Sequence, residues 1–361
     1  MGVRLASAVL TAEDEYDALE TLHQADATDG LPVVIPTPER VERMVLATGL
    51  DPDMMLGDVG PNLGAATVEK VAVNAVMAGC LPDYMPVVIA AIKAICRPEL
   101  DLTELQSTTH CIAPMLIVNG PARLACGPIA SGWGALGPGH RANASIGRAV
   151  RLVMMNVGGA RPGLSDMALL GHQGKFSSCL GEDEENSPFP ALHTSLGFDA
   201  QQSVVTLVGT EAPHSVVHVG DADDPTSPQR LLRSLAGTIA NVGSNNAFFR
   251  RGAVVVVLNP DHALTLATAG MSRADVQAEL HRLATNPRAL LRSLNPGFAG
   301  LGGDDDAVHA LRAPDDVLVL MAGGGGLYSM VMPSWGAGPH GNVFVSEVVE
   351  LDQACAVPLR G

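Results

Sequence analysis

The sequence predicts an α/β protein of two α/β halves, each with mostly buried strands flanked by helices. The chain has 361 residues, more than the roughly 100 to 200 residues of one ordinary domain. Short apolar runs typical of buried strands alternate with runs of helical periodicity along its length. Hydrophobic residues make up 47% of the chain and aromatic residues only 3%, so we expect a core of mainly aliphatic side chains.

The first half, residues 1–190, shows helix boundaries that follow known capping preferences. Thr37 followed by Pro38 is typical of a helix start, and Gly79 after an apolar run is typical of a helix end. A loop rich in glycine, proline and aspartate occupies 51–64. The predicted elements are a strand at 33–35, helices at 37–47, 67–78 and 82–95, a strand at 116–118 and a helix at 143–156.

The second half, residues 191–361, follows the Ser-Pro-Phe-Pro run at 187–190, which we take as the boundary. Four glycines at 323–326 come directly after a predicted strand, where their amides could bind a ligand or simply form a tight turn. The predicted elements are strands at 204–208, 253–258, 317–321 and 342–349, and helices at 228–241, 261–268 and 272–284.

Charge and cysteine usage exclude several classes of protein. The formal net charge of −16 repels phosphate backbones and anionic lipids, so we expect neither a nucleic-acid nor a membrane partner. The N-terminal 15 residues end in an acidic run and lack the basic and apolar regions of a signal peptide, which favours a cytoplasmic protein. Six cysteines without a C-x-x-C pair are typical of free thiols in that compartment.

A polar stripe interrupts the apolar helix predicted at 67–78. Glu69, Lys70 and Asn74 fall within an arc of about 140° at 100° per residue. Such a stripe either faces solvent or lines a cavity in which its charges are paired. We interpret Glu69 and Lys70 as proton-transfer groups and Asn74 as a substrate ligand, with an exposed helix edge as the alternative.

Cys80 lies in the joint between two predicted helices, directly after Gly79 and two residues before Pro82. The amide groups and the dipole at a helix start lower the pKa of a thiol and favour the thiolate. Cys80 is therefore the candidate nucleophile among the six cysteines. The alternative is a small apolar filler in a tight joint.

His110 lies in a loop before the strand predicted at 116–118. An imidazole at this place could act as a general base or orient a thiolate. Its neighbour Cys111 is not expected to act with it, because adjacent side chains on extended backbone point in opposite directions. A histidine bonded only to backbone carbonyls is the alternative.

A glycine-rich turn at 137–139 runs into a helix that carries Arg141, Asn143 and Arg148. Free amides at a helix start attract anions, and the two arginines, seven residues apart, lie on one helix face. Because arginine binds carboxylates through two parallel hydrogen bonds, we predict a substrate clamp here. Surface arginines paired with acidic residues are the alternative. The pattern is no dinucleotide or P-loop motif, so it implies no nucleotide.

Lys175, one of only three lysines in the chain, precedes an acidic run that contains Glu184. Carboxylates of such a run could accept protons, bind a hard cation or pair with arginines. We assign Lys175 and Glu184 to substrate binding, with a solvated acidic loop as the alternative. The sequence contains no H-E-x-x-H, C-x-x-C or EF-hand pattern, so it predicts no metal site and leaves the cofactor open.

Six segments of the sequence carry a resemblance: 67–70, 74–80, 108–110, 117–121, 141–143 and 147–148. Together they resemble a large bacterial family grouped under the UGSC (seleno)protein label. This resemblance supports the interpretation that the protein is an enzyme. Asn119 lies in one of the segments, and we add it to the predicted substrate-binding residues. The redox motif of the family, selenocysteine or cysteine followed by Gly-Ser-Cys, is absent, so no dithiol reaction is implied. The similarity extends through 184–185 into 260–262 and Trp335.

These residues predict an enzyme that acts on a small carboxylate-bearing substrate by cysteine-assisted acid/base chemistry of the lyase or hydratase type. Arg141 and Arg148 would bind the carboxylate, while Cys80 attacks the substrate or transfers a proton. Two alternatives stay open: a thiol-dependent reductase or C–S bond enzyme, and a non-catalytic ligand-binding subunit of a redox system. A homo-oligomer is compatible with each of them.

Overall fold

A computed structural model describes residues 4–220, 223–298, 301, 303 and 305–351. In it two mixed β-sheets face each other, and helices cover the outer face of each sheet. This arrangement confirms the predicted α/β class with mostly buried strands flanked by helices.

Helices and strands alternate along most of the chain. The helices are α1 Glu15–Gln24, α2 Pro38–Leu46, α3 Val68–Ala78, α4 Met85–Ile95, α5 Leu102–Ser107, α6 Ala122–Ala125, α7 Arg141–Asn156, α8 Leu192–Ser195, α9 Ser227–Ile239, α10 Asn245–Phe249, α11 Pro260–Thr268, α12 Arg273–Leu283 and α13 Arg288–Leu294. The strands are β1 Met55–Val59, β2 Gly64–Thr67, β3 Ala113–Asn119, β4 Cys179–Gly181, β5 Val204–Thr210, β6 His214–Val217, β7 Val254–Leu258, β8 Thr285–Pro287, β9 Ala307–His309, β10 Val317–Met321, β11 Tyr328–Met332 and β12 Val345–Val348.

The first sheet has the order β12-β5-β3-β4. β5 is antiparallel to β3 and to β12, whereas β4 is parallel to β3. Side chains alternate across this sheet: Leu116 and Val118 pack against α3, α4 and α7, and Met115 and Ile117 face the second sheet. Because both faces are covered, every residue of β3 and β5 is buried.

The second sheet has the order β10-β7-β11-β6, with β7 and β10 parallel and β11 antiparallel to its neighbours. Val255 and Val257 face the first sheet, while Val254 and Val256 pack against α9, α11 and α12. β3, β5, β7 and β10 are thus buried along their whole length, as the apolar runs in the sequence predict. The edge strands β6 and β12, and β11 next to β6, carry exposed or half-buried residues.

Most predicted helices and strands are present within a few residues of their expected bounds. α3 follows Thr67, whose side chain accepts the amide of Lys70, and it ends at Gly79 with a φ of +85°. The strand predicted at 33–35 is wrong: this segment has no strand partner, and the amide of Val34 donates instead to the carbonyl of Met77. The loop expected at 51–64 contains β1, which pairs with β2 as a hairpin.

The predicted division at residue 190 does not follow the sheets. β5 and β12 come after residue 190, yet they complete the sheet that β3 and β4 begin. Val345 of β12 lies opposite Leu207 of β5, almost 140 residues earlier in the chain. The proline-rich run at 187–190 predicts a turn, but a turn does not predict which distant strands pair. The last residues of the proposed second half, 352–361, lie outside the described ranges.

Within the described ranges, no helix is both long enough and apolar enough to cross a membrane. The buried helix α4 illustrates this, since its eleven residues are nearly all apolar. At about 1.5 Å per residue it spans roughly half of a bilayer core of about 30 Å.

Candidate functional site

A pocket of about 410 Å³ lies beside the loop that precedes β3. This volume falls within the range of about 300 to 1,000 Å³ that is typical of ligand pockets. Arg151 and Met155 of α7 form one wall, and the segment 162–176 contributes most of the others. The amide of Leu169 donates to the carbonyl of Thr109, which places that segment against the loop of His110.

Arg151, Asp166 and Lys175, which we call the ion cluster, lie at the base of this pocket. Arg151 Nη2 donates to Asp166 Oδ2 at 2.8 Å, and Lys175 Nζ donates to both Asp166 oxygens at 2.7 Å. Only 4% of Asp166 and 9% of Arg151 are exposed. One carboxylate between two cations leaves a charge of +1 in a chain of net charge −16. Since buried charges require partners, the ion cluster favours an anionic ligand.

Burial and pairing shift the proton affinities of the ion cluster. Burial lowers the pKa of the Lys175 amine, and it outweighs the hydrogen bonds to Asp166, which act in the opposite direction. Burial also acts to raise the pKa of Asp166, but the hydrogen bonds from Lys175 and Arg151 hold it below its ordinary value. Asp166 therefore stays charged, while Lys175 loses its proton more readily than an exposed lysine does.

His172 holds the short turn Gln173–Lys175 in place. Its Nδ1 accepts the amide of Gly174 at 3.1 Å. A Cβ added to Gly174 would lie 2.6 Å from Cε1 of this ring, so the packing requires glycine. Burial lowers the pKa of His172, which keeps the ring neutral near pH 7 and able to accept that hydrogen bond. His172 is thus a positioning residue for Lys175.

Gly147 allows the segment that carries Lys175 to approach α7. A Cβ at this position would collide with Ser177 Oγ and lie 2.7 Å from the amide nitrogen of Ser178. Gly147 lies about one helical turn before Arg151. This close contact therefore brings Lys175 and Arg151 to the same carboxylate.

His110 lies close to the pocket but forms its hydrogen bonds elsewhere. Asn245 Nδ2 donates to His110 Nδ1 at 3.2 Å, so Nε2 carries the proton and donates to Glu211 Oε1 at 2.9 Å. His172 interacts electrostatically with both His110 and Glu211. The structure thus brings His110 and Lys175 into one neighbourhood through His172, and the partners of His110 are side chains instead of carbonyls.

Cys80 lacks the lowered pKa that its place in the sequence predicted. Its Sγ donates to the carbonyl of Ser145 at 3.2 Å, and only 8% of the residue is exposed. Burial raises the pKa of this thiol to about 12, because a thiolate is disfavoured without solvent, and the nearby Arg141 and Arg148 do not compensate. The structure supports the alternative interpretation of Cys80 as a buried filler.

The charges of the polar stripe on α3 serve the fold. Glu69 accepts the amides of Ala6 and Ser7 at 2.8 and 2.7 Å and so ties the N-terminal segment to α3. Burial opposes ionisation of Glu69, but these hydrogen bonds keep its pKa below the ordinary value. Lys70 is exposed and donates to the carbonyl of Ala65 at 2.8 Å. Neither side chain lines the pocket.

Asn74 and Asn143 are buried amides that join elements of the fold. Asn74 accepts a hydrogen bond from Asn156 Nδ2 at 2.8 Å, which links α3 to the end of α7. Asn143 accepts the amide of Ala130 at 2.8 Å and donates to its carbonyl at 2.9 Å. Both amides are occupied within the fold, so their assignment to substrate binding has no support from the geometry.

The predicted arginine clamp is not formed. Arg141 donates through Nε and Nη2 to the carbonyl of Gly79 at the end of α3. Arg148 forms two parallel hydrogen bonds of 2.7 Å with Asp29 and a further one of 2.9 Å with the carbonyl of Pro32. Arg148 is thus paired with an acidic residue, as the alternative interpretation expected, whereas Arg141 is exposed and caps the end of α3.

Asn119 and Glu184 meet at the other end of β3. They belong to a set of six linked side chains that we call the closed network: Asn119, Arg123, Glu182, Glu184, Glu185 and Arg273. Asn119 Nδ2 donates to Glu184 Oε1 at 2.8 Å and to Glu182 Oε2 at 2.6 Å. Glu182 pairs with Arg273 at 2.9 Å, and Glu184 pairs with Arg123 at 3.1 Å. Burial raises the pKa of Glu182 and lowers that of Arg273. None of these side chains lines the pocket.

Four ionisable residues that line the pocket were not predicted as site residues: Asp29, Arg151, Asp166 and His172. Arg151 carried a signal, because it is a lone charge between apolar neighbours on a helix, and such a charge needs a partner inside the protein. Asp166 and His172 lie in a segment without periodicity, where only the three-dimensional structure identifies them. Among the described residues, no group of three or more His, Cys, Asp or Glu side chains could hold a metal ion.

Comparisons of this chain with protein-family models and with curated proteins give no match. The resemblance to the UGSC (seleno)protein family therefore stays a prediction. What the chain does has to be inferred from the geometry of the pocket and its ion cluster.

Proposed function

We propose that this protein is an enzyme that binds a small carboxylate-bearing substrate and transfers protons through Lys175, as in a lyase or hydratase. One observation carries the proposal: at the base of a pocket of about 410 Å³ the buried carboxylate of Asp166 faces two cations, while the other carboxylate of the lining, Asp29, is paired with Arg148. The surplus positive charge favours an anionic substrate. A buried lysine with a lowered pKa is typical of a general base.

Arg151 and Lys175 retain donors for a substrate carboxylate. Arginine has five N–H donors, and Arg151 gives Asp166 one close hydrogen bond, with a longer contact of 3.5 Å to Gln106. Lysine has three donors, and Lys175 directs two of them to Asp166. A carboxylate bound to these remaining donors would bring the charge of the ion cluster from +1 to zero.

The substrate binds while Lys175 is protonated, and the ammonium then loses its proton to solvent. Arg151 now holds the substrate carboxylate alone, and the neutral Lys175 amine removes a proton from the carbon next to that carboxylate. In an elimination, the C–H electron pair forms the new double bond, and a leaving group departs from the next carbon with its own electron pair. The Lys175 ammonium, stabilised by Asp166, returns the proton to that leaving group. The reverse sequence adds water or another H–X compound to the double bond.

The proposal keeps the predicted substrate class and changes the residues. Cys80 has no part in it, because its buried thiol with a pKa of about 12 forms no thiolate near neutral pH. Lys175 moves from substrate binding to proton transfer, and Arg151 takes the place of Arg141 and Arg148. The non-catalytic ligand-binding alternative uses the same pocket and is separated from the enzyme by the experiment below.

The test compares Lys175→Met with Lys70→Met, a matched change at an exposed lysine outside the pocket. Small carboxylates are incubated with each protein in heavy water, and exchange of the C–H next to the carboxylate is followed by proton NMR. We expect exchange with wild type and Lys70→Met, and at least about 100-fold slower exchange with Lys175→Met, because general bases contribute about this much. Asp166 keeps Arg151 in this variant, so the ion pair at the base persists.

Equal exchange rates in the two lysine variants would overturn the proposal. Binding of carboxylates by wild type without any exchange would support the ligand-binding alternative instead. Circular dichroism of each variant confirms that the comparison is made between folded proteins.

A further inference from the structure

The mouth of the pocket is formed by apolar side chains that are exposed to solvent. Leu170 and Phe176 both line the pocket, with 94% and 45% of their surface exposed. The charged residues of the ion cluster lie at its base and are mostly buried. Polarity therefore runs opposite to that of an ordinary protein surface, where charges lie outside and apolar groups inside.

The exposed apolar residues are concentrated in one segment of the chain. Leu164, Met167 and Leu169 are exposed as well, so residues 164–176 present five large apolar side chains to solvent. A single exposed leucine needs no explanation, but a group of them beside a concave site is typical of a ligand-binding surface. Leu164 and Leu169 do not line the pocket, whereas Leu170 and Phe176 do.

We propose that the substrate is a carboxylic acid with an apolar chain, an inference that rests on the proposed function of the pocket. The carboxylate binds at the ion cluster, and the chain leaves the base along Met155 and contacts Leu170 and Phe176 at the mouth. At about 30 Å³ for a water-sized group, the pocket has room for roughly a dozen non-hydrogen atoms. A carboxylate alone would leave most of that volume and the apolar mouth unused.

The chain length of the ligand gives a direct readout of this arrangement. Burial of one methylene group is worth about 0.8 kcal/mol, which corresponds to about a fourfold gain in affinity. Affinity of wild type should therefore rise about fourfold for each carbon along the series acetate, butyrate, hexanoate and octanoate, until the pocket is filled. A carboxylate bound only by charge would show no such rise.

The experiment measures this series by isothermal titration with wild type, Leu170→Ser, Phe176→Ser and the control Leu164→Ser. All three residues are exposed, so these changes leave the core intact. We expect Leu170→Ser and Phe176→Ser to weaken hexanoate and octanoate severalfold while acetate is unchanged. Leu164→Ser should behave like wild type, because its side chain is as apolar and exposed but lies outside the pocket.

The outcomes separate this inference from the proposed function. Wild type could bind all four acids with similar affinity while Lys175→Met binds all of them more weakly. That result would overturn the inference of an apolar chain and leave the carboxylate site in place. An equal loss in Leu164→Ser and Leu170→Ser would also overturn it. If no acid binds, or if Lys175→Met leaves binding unchanged, the proposed function itself fails.

Discussion

The two ends of β3 each carry a group of charged side chains, yet they differ in charge and in access. The ion cluster lies near the start of β3, carries +1 and faces a pocket. The closed network lies at the end of β3. Its three glutamates and two arginines have charges that sum to −1. A surplus positive charge beside a pocket favours an anionic ligand, whereas an enclosed network mainly organises the fold.

The closed network joins the two sheets. Arg273 of α12 donates to the carbonyl of Val319 in β10 and to Glu182, which follows β4. Glu182 also accepts the amide of Leu192 at 2.6 Å. The ion cluster, by contrast, joins only α7 to the segment 166–175. The same residue types thus stabilise the fold at one end of β3 and leave donors for a ligand at the other.

Glu182→Gln is expected to have the largest effect on stability. The change leaves Arg273 as an unpaired charge in the interior, and removal of one partner of a buried pair costs about 3–5 kcal/mol. The control Glu185→Gln, at an exposed carboxylate of the same network, should cost less than about 1 kcal/mol. Urea unfolding measures both. Similar losses in the two variants would show that the closed network is not a buried element of the fold.

Asp166→Asn should change stability less and ligand affinity more. The amide removes the anion between Arg151 and Lys175, but both cations line the pocket, where water partly replaces it. The free energy of unfolding therefore falls by about 1–3 kcal/mol, less than in Glu182→Gln. The charge of the ion cluster rises from +1 to +2, so a carboxylate should bind severalfold more tightly. Titration with hexanoate measures the affinity, and weaker binding than wild type would contradict the role given to the surplus charge.

Acid titration gives a second readout of the same variant. Hydrogen bonds from Lys175 and Arg151 hold the pKa of Asp166 below its ordinary value despite burial. Its contribution to stability is therefore complete above the unfolded value of about 3.9 and is lost as pH falls through the lower folded value. Wild type should lose this part of its stability in acid, and Asp166→Asn should not. If stability depended on pH in the same way in both proteins, the ion pairs of Asp166 with Arg151 and Lys175 would not form.

The sequence predicts the elements of this protein better than their arrangement. The cap at the start of α2, Thr37, and the glycine at the end of α3, Gly79, are local signals, and both are confirmed. The pairing of β12 with β5 depends on packing between distant segments, and no local pattern marks it. Residues 33–35 are as apolar as a strand but have no partner in a sheet.

For the candidate site, too, the sequence predicts residue types better than it predicts which residues meet in space. The sequence identified Lys175 through its rarity and placed an anion-binding arginine on α7. It indicated Arg148 instead of Arg151, because helical spacing shows which residues share a face but not which acid each of them meets. Arg148 meets Asp29 and does not itself line the pocket, whereas Arg151 lines the pocket and meets Asp166. The charges of α3 are equally conspicuous in sequence, and the structure uses them to anchor backbone.

Competitive labelling of lysines tests the central claim most directly, because the chain contains only Lys70, Lys93 and Lys175. Trace acetylation at a series of pH values, read by mass spectrometry, reports the pKa of each amine. We predict that Lys175 titrates below the ordinary lysine value of about 10.4, and that hexanoate slows its labelling but not that of Lys70. A Lys175 that titrates at or above that value and is not protected by the carboxylate would contradict the proposed site.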